Sequence, residues 1–250
     1  MDSVKTALRV FEIVAELGDA GLTEVMRGVD APKSTVQRGL TTLYEAGWLR
    51  PLSSGTERRR WTPSARLMTL IRGQDALVAL RHSARPVLER LRDTTRETVH
   101  MTVRDGDRVV LVERFDSPQI LRTVWPIGSS APLHIGSNGK AVLATLSDRA
   151  AESYLASSLK AWTEHSLIEP DALRAELSTI CARGYAISDR EVDPQVRAVA
   201  AAIARPGEEA VAALSISCPA SRLPESLIAD YGDLVISAAA EIIRRQTGGI

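Results

Sequence analysis

Cysteine is nearly absent from this 250-residue chain, which has only Cys181 and Cys218. Two cysteines make no disulfide framework. A single bridge can form in principle, but free thiols in a reducing compartment are the expectation. Long apolar runs are absent as well: no stretch reaches the 18 residues that would mark a membrane span. The opening Met1-Asp2-Ser3-Val4-Lys5 lacks the basic-then-apolar layout of a secretory signal. A cytoplasmic protein without a membrane partner follows from these absences. Net charge is missing too, since 31 Lys and Arg balance 31 Asp and Glu. No internal repeat or low-complexity tract interrupts the chain. At 44% hydrophobic and 25% charged it reads as an ordinary globular protein, long enough for two domains.

Signatures of catalysis are also lacking. Gly139-Lys140 invites comparison with a phosphate-binding loop, but that motif needs Gly five residues before Gly139 and Ser or Thr after the Lys. This chain has His134 and Ala141 there. No Gly-x-Ser-x-Gly elbow occurs. His82, His100, His134 and His165 are scattered without zinc-ligand spacing and read as surface or internally satisfied residues. The carboxylate pairs Glu169/Asp171 and Asp189/Glu191 have no nucleophile beside them. No catalytic residue, metal or cofactor is therefore expected.

The segment from Leu22 to Trp61 carries the positive signal. An apolar-periodic stretch from Thr23 to Val29 is broken by Asp30-Ala31-Pro32, and a second helical run starts near Lys33 and stops at Gly47. Val36, Leu40 and Leu43 recur at i, i+4 and i+7, so one stripe faces a core. The opposite face carries Lys33, Ser34, Thr35, Gln37, Arg38 and Thr41, side chains able to bond phosphates and base edges in the first turns of a recognition helix. Two extended segments, Trp48-Leu49-Arg50 and Arg58-Arg59-Arg60-Trp61, flank the turn-rich Ser53-Ser54-Gly55-Thr56. Together these predict a winged helix-turn-helix that holds double-stranded DNA, with Arg58, Arg59 and Arg60 on phosphates. Helix pairs with tight turns also occur as plain packing motifs; charge decides between the two. From Arg27 to Arg72 there are nine Lys or Arg against three Asp or Glu, whereas 20 basic and 23 acidic residues follow from Gly73 onward. Positive charge gathered on the helix-turn-helix is the footprint of a phosphate-binding surface.

The rest divides by period. A first helix is expected over residues 4–17, with Ala7, Leu8, Phe11, Val14 and Ala15 buried. Residues 1–63 form the DNA-binding domain, 64–74 a linker helix (Ala65–Arg72), and 75–250 a second domain. Asp75 to Thr94 is helical, with Pro86 expected to kink or interrupt it. From Glu97 the period changes to two: strands at Val99–Arg104 and Val109–Val112 flank an Asp105-Gly106-Asp107 turn, and a third extended segment runs from Ile120 to Ile127. Helices follow at Gly139–Leu146, Asp148–Ala156 and Asp171–Arg183, strands at Val196–Ala204 and Ala210–Ser217, and a closing helix at Pro224–Arg245. Hairpins flanked by helices without strict β-α alternation predict an α+β fold with an antiparallel sheet.

Several motifs occur in one order. They are Lys33-Ser34-Thr35-Val36-Gln37-Arg38, Leu43-Tyr44-Glu45-Ala46-Gly47-Trp48-Leu49, Ala131-Pro132-Leu133-His134 followed by Gly139-Lys140-Ala141-Val142-Leu143-Ala144, Arg183-Gly184-Tyr185-Ala186, and Ala212-Ala213-Leu214-Ser215-Ile216-Ser217. In this order and spacing the chain resembles the IclR family of bacterial transcription regulators over nearly its whole length. The resemblance implies a GAF-like effector domain after the linker helix, a homodimer or dimer of dimers, a near-palindromic operator, and a small organic acid as effector. By the same resemblance, Ser137, Asn138, Gly139, Ser188, Ala198, Ser215 and Ser217 line the effector pocket, the turn at Gly139 offering backbone N–H groups to an anion. Ser215 and Ser217 lie two apart on a strand and so face one side; the competing reading is that they only fill a tight sheet face. Family members that bind very small oxo-acids have an acidic residue at the position of Ser188 and Cys at that of Ala198. The family also commonly has Gly near Gln195 and an acidic pair where Arg190-Glu191 stands. These departures argue against a glyoxylate-like ligand and for a larger aromatic or branched acid. Two other classes stay open: a DNA-binding protein whose second domain serves only oligomerisation, and an enzyme fused to a regulatory helix-turn-helix.

Overall fold

The computed structural model describes residues 3–52, 59–70 and 75–247. The chain divides into two compact units, 1–76 and 77–250. The turn Ser53–Thr56, Arg58, Ile71 and Arg72 lie outside the described residues.

In the first unit, α1 (Ser3–Leu17), β1 (Ala20–Gly21), α2 (Leu22–Arg27) and α3 (Lys33–Glu45) precede a hairpin of β2 (Leu49–Leu52) and β3 (Arg60–Pro63), and a short α4 (Arg66–Leu70) follows. The strands form a small antiparallel sheet in the order β1-β3-β2. Val36, Leu40 and Leu43 of α3 are buried, as their spacing predicts, with Val10, Val14, Val25, Leu49 and Trp61. Gly47 takes φ +79°, the left-handed conformation that ends the α3 segment without a Cβ clash.

The buried face of α1 differs from expectation. Thr6, Val10, Ile13 and Val14 are inside, while Leu8 is 56% exposed and Ala15 is exposed. The cause lies on α3. Gly39 offers a bare surface to Val10, and a Cβ there would stand 3.4 Å from Val10 Cγ2. Phe11 turns instead to Trp48, ring centres 5.9 Å apart and edge to face.

The second unit holds a six-stranded sheet whose order is β6-β5-β4-β9-β8-β7, with every neighbouring pair antiparallel. The strands are β4 (Thr98–Asp105), β5 (Arg108–Phe115), β6 (Ser130–Pro132), β7 (Ala186–Asp189), β8 (Val196–Ile203) and β9 (Ala212–Pro219). One face, carrying Val99, Met101, Val199, Ala201, Leu214 and Ile216, packs on α5 (Asp75–Thr95) and α9 (Glu225–Thr247). The other carries Ala200 and Ala213 into a second core with α6 (Gly136–Leu143), α7 (Asp148–Leu155) and α8 (Pro170–Arg183). The alternation of strand side chains thus sorts odd from even positions into two helical layers.

Four expectations need correction here. The helix α5 runs through Pro86 without ending; Ala84, Val87, Leu88 and Leu91 anchor it on both sides of the missing N–H. Ile120–Ile127 is not a strand. Its backbone is tied by single bonds: Thr98 Oγ1 donates to Thr123 O at 3.1 Å, and Arg114 Nη1 to Trp125 O at 2.6 Å. The outer edge of β5 is taken by β6 instead, and Ile120, Leu121, Val124 and Ile127 stay exposed. The edge strands β6 and β7 were not expected as strands. Finally, α6 starts at Gly136 rather than Gly139, with Gly136 at φ +79°.

Candidate functional site

On the first unit, Ser34, Gln37, Arg38 and Thr41 form an exposed stripe on α3 opposite its buried one, with Lys33 exposed at its start and Thr35 half-buried at its margin. Neither Lys33 nor Arg38 is held by an ion pair among the described residues, so both charges are available to a phosphate or base edge. The wing arginines divide. Arg59 is exposed, its guanidinium 5.4 Å from the centre of the Trp61 ring. Arg60, expected on phosphate, is occupied by two carboxylates. Its Nε donates to Asp19 Oδ2 at 2.5 Å and its Nη1 lies 2.8 Å from Glu24 Oε2. The bond to Arg60 holds the Asp19 carboxyl below its usual range. Glu24 is lowered first by the Gly21 N–H and then by Arg60. Arg60 thus fastens the hairpin to the start of α2, a partner set that no local pattern revealed. Arg58 lies outside the described residues.

The second unit encloses a cavity of about 400 Å³ between the α6 face of the sheet and the 121–125 segment. Ser137, Asn138, Ser188, Ala198, Ser215 and Ser217, taken from five separate stretches of sequence, all line it. Strand register brings them together: Ser188 lies opposite Ala198, Ala198 opposite Ser217, and Ser215 opposite His100. Asn138 Nδ2 donates to Ser215 Oγ at 2.9 Å, joining α6 to the sheet floor. Gly139 does not line the cavity. It sits one turn into α6 against the preceding loop, and a Cβ there would fall 2.6 Å from Leu133 O. Its role is close packing, and the first-turn N–H groups that open toward the cavity belong to Ser137 and Asn138.

Sequence reasoning missed four residues here. His100, taken as a surface or satisfied histidine, is 6% exposed on the cavity wall, and its Nε2 has no hydrogen-bond partner. Burial, with the charge of Arg114 adding to it, pushes its pKa down to about 4, so the ring is neutral at pH 7. Lys140 and Glu191 form a buried ion pair beneath α6, and Glu191 Oε2 also accepts the Gly136 N–H at 3.1 Å. Burial raises the Glu191 pKa, against the opposing pull of Lys140. The pair fixes the start of α6 to the turn after β7. Trp125 adds an aromatic wall, set edge to face with Trp162 at 6.5 Å. An apolar neighbourhood around Lys140 was visible in sequence, but a partner 51 residues away was not. His134, by contrast, is satisfied: Nδ1 meets Tyr154 Oη at 2.7 Å and Nε2 meets Lys160 O at 3.1 Å.

A helix-turn-helix with an exposed basic reading face, joined to a sheet domain that encloses a small polar-floored cavity, defines a DNA-binding transcription regulator rather than an enzyme. Comparison with known proteins agrees. Residues 3–53 match the IclR helix-turn-helix domain, and residues 76–244 match the bacterial transcriptional regulator IclR C-terminal domain. The acetate operon repressor of Salmonella typhimurium is 32% identical, over 97% of this chain and 89% of that protein. The crystal structure of the Thermotoga maritima IclR superposes with a TM-score of 0.74 at 26% identity, covering 98% of each chain. An IclR homolog of Microbacterium hydrocarbonoxydans, solved with 4-hydroxybenzoate, superposes with a TM-score of 0.72 over 99% of this chain and all of that one. At 23% identity it is evidence for the fold alone. The chain belongs to the IclR family of bacterial transcription regulators.

Proposed function

We propose that this regulator binds a near-palindromic operator as a homodimer or dimer of dimers in the cytoplasm, and that a small organic acid in the cavity over α6 sets its operator affinity. In this reading Gln37 and Arg38 read base edges from the major groove, while Lys33, Ser34, Thr35, Thr41 and Arg59 position the helix on the backbone. The observation that carries the ligand half is the state of the cavity floor. The hydroxyls of Ser137, Ser188 and Ser217 make no hydrogen bond to a described residue, although these serines are 3%, 3% and 5% exposed. Buried polar groups that lack protein partners cost stability unless something bonds them. The open first turn of α6 favours an anion beside them, and the volume admits an aromatic or branched acid.

A thermal-shift screen of organic acids, followed by operator titration by fluorescence anisotropy, tests this. An acid that binds the native state raises its melting temperature, and the same acid is expected to change operator affinity by ~5–150-fold. Replacing Ser215 and Ser217 with Leu is expected to abolish the response and leave ligand-free DNA binding intact. If no acid shifts either readout, the second unit serves oligomerisation only.

A further inference from the structure

The cavity floor has two polar rows. The first is Ser215 and His100 on adjacent strands, joined to α6 by the Asn138 bond. The second continues across β7, β8, β9 and β4 as Ser188, Ala198, Ser217 and Thr98. Ser215 and Ser217 are two residues apart on one face, so the rows are separated by roughly 7 Å. Para substituents on a benzene ring stand apart by a distance of that order.

The rows differ in what they can bind. The first lies at the N-terminus of α6, where free N–H groups and the helix dipole suit a carboxylate. In the second, Thr98 is already engaged: its hydroxyl donates to Thr123 O and accepts the Ser117 N–H at 3.2 Å. Ser188 and Ser217 are left with buried hydroxyls and no partner among the described residues. Each can both donate and accept. A second carboxylate is ill-suited there. Asp193, in the turn before β8, lines that end, and Arg122, the only Lys or Arg on the cavity wall, is exposed and donates to Gln119 O. Between the rows the floor offers Ala198, and Trp125 adds an aromatic wall.

Resting on the proposed reading of this cavity as the effector site, we infer that Ser188 and Ser217 are specificity-determining residues: they bind an uncharged hydroxyl at the far end of a planar aromatic monocarboxylate. The carboxylate sits at α6, the ring crosses Ala198, and the hydroxyl exchanges hydrogen bonds with the two serines.

Calorimetric titration of the full chain with benzoate, 4-hydroxybenzoate and terephthalate tests this. The wild-type protein is expected to bind 4-hydroxybenzoate about tenfold more tightly than benzoate, the scale of one or two neutral hydrogen bonds, and terephthalate more weakly than either. The double variant Ser188→Ala/Ser217→Ala is expected to bind benzoate as the wild type does and to lose the preference for the hydroxylated acid. Equal weakening of benzoate and 4-hydroxybenzoate in that variant would mean the serines hold the carboxylate, and would overturn the inference. So would tightest binding of terephthalate, or no binding of any of the three. In the last case the operator screen decides separately whether the cavity takes some other acid. The melting temperature of the ligand-free variant reports whether its fold is intact.

Discussion

Lowering the pH from 7 to 4 is expected to destabilise the second unit through His100, and the size of the effect follows from where the ring lies. In the folded chain burial pushes its pKa from 6.5 to about 4. In the unfolded chain it returns to the ordinary value. A gap of roughly 2.5 units, at about 1.36 kcal/mol per unit, corresponds to about 3 kcal/mol. The sign follows from proton counting. Between the two pKa values the unfolded chain binds the proton and the folded chain does not, so stability falls as pH falls. The contribution is complete above about pH 6.5 and lost by about pH 4. Urea unfolding of the full chain at several pH values, resolved into the transitions of the two units, measures it. Acidic side chains also titrate in this range, so the comparison is with His100→Gln, which keeps them and removes the imidazole. Between pH 7 and 4 the variant is expected to lose ~2–3 kcal/mol less than the wild type. Equal losses in both proteins would show that the ring protonates in place, and that the cavity wall around it is wet rather than dry.

On the DNA face, Arg38→Ala is expected to cost ~1–3 kcal/mol of operator affinity and relax one base preference, while Arg59→Ala weakens all duplexes alike and flattens the salt dependence; anisotropy titrations at several salt concentrations separate the two. Arg60→Ala is expected to lower the melting temperature of the first unit by freeing the hairpin from Asp19 and Glu24, an effect absent from Arg59→Ala. Gly139→Ala places a Cβ against the Leu133 backbone and is expected to cost ~1–3 kcal/mol of second-unit stability, since backbone cannot swing aside. Lys140→Met leaves Glu191 buried without its cation and is expected to cost ~3–5 kcal/mol; a variant as stable as the wild type would mean the carboxyl simply takes up a proton. Met68 is 67% exposed on α4. If that face pairs two chains, Met68→Asp shifts the species seen by light scattering toward monomer and weakens operator binding.

Periodicity by itself determined the elements whose two faces differ in polarity. The α3 stripe of Val36, Leu40 and Leu43 against Gln37, Arg38 and Thr41, the β4–β5 hairpin about Gly106, and the long α5 and α9 helices were legible because each depends on neighbours along the chain. The serines of the cavity were legible only through family resemblance, since nothing local separates a serine that awaits a ligand from one that fills a sheet. Tertiary structure decided the rest. The helix α1 has apolar side chains on two faces, and only the bare Gly39 surface of α3 selected Val10 and Ile13 over Leu8. Residues 120–127 have strand-like composition, yet β5 has one free edge and β6 occupies it. Arg60 carries the same charge as Arg59, but Asp19 and Glu24, some 40 residues earlier, reach only Arg60. Lys140 and Glu191 are 51 residues apart, and His100 became a neutral, unpartnered ring only when β5 and β9 closed on either side of it. Local pattern reports what a residue can do; burial and long-range partners fix which of those things it does, and both exist only after the chain has folded.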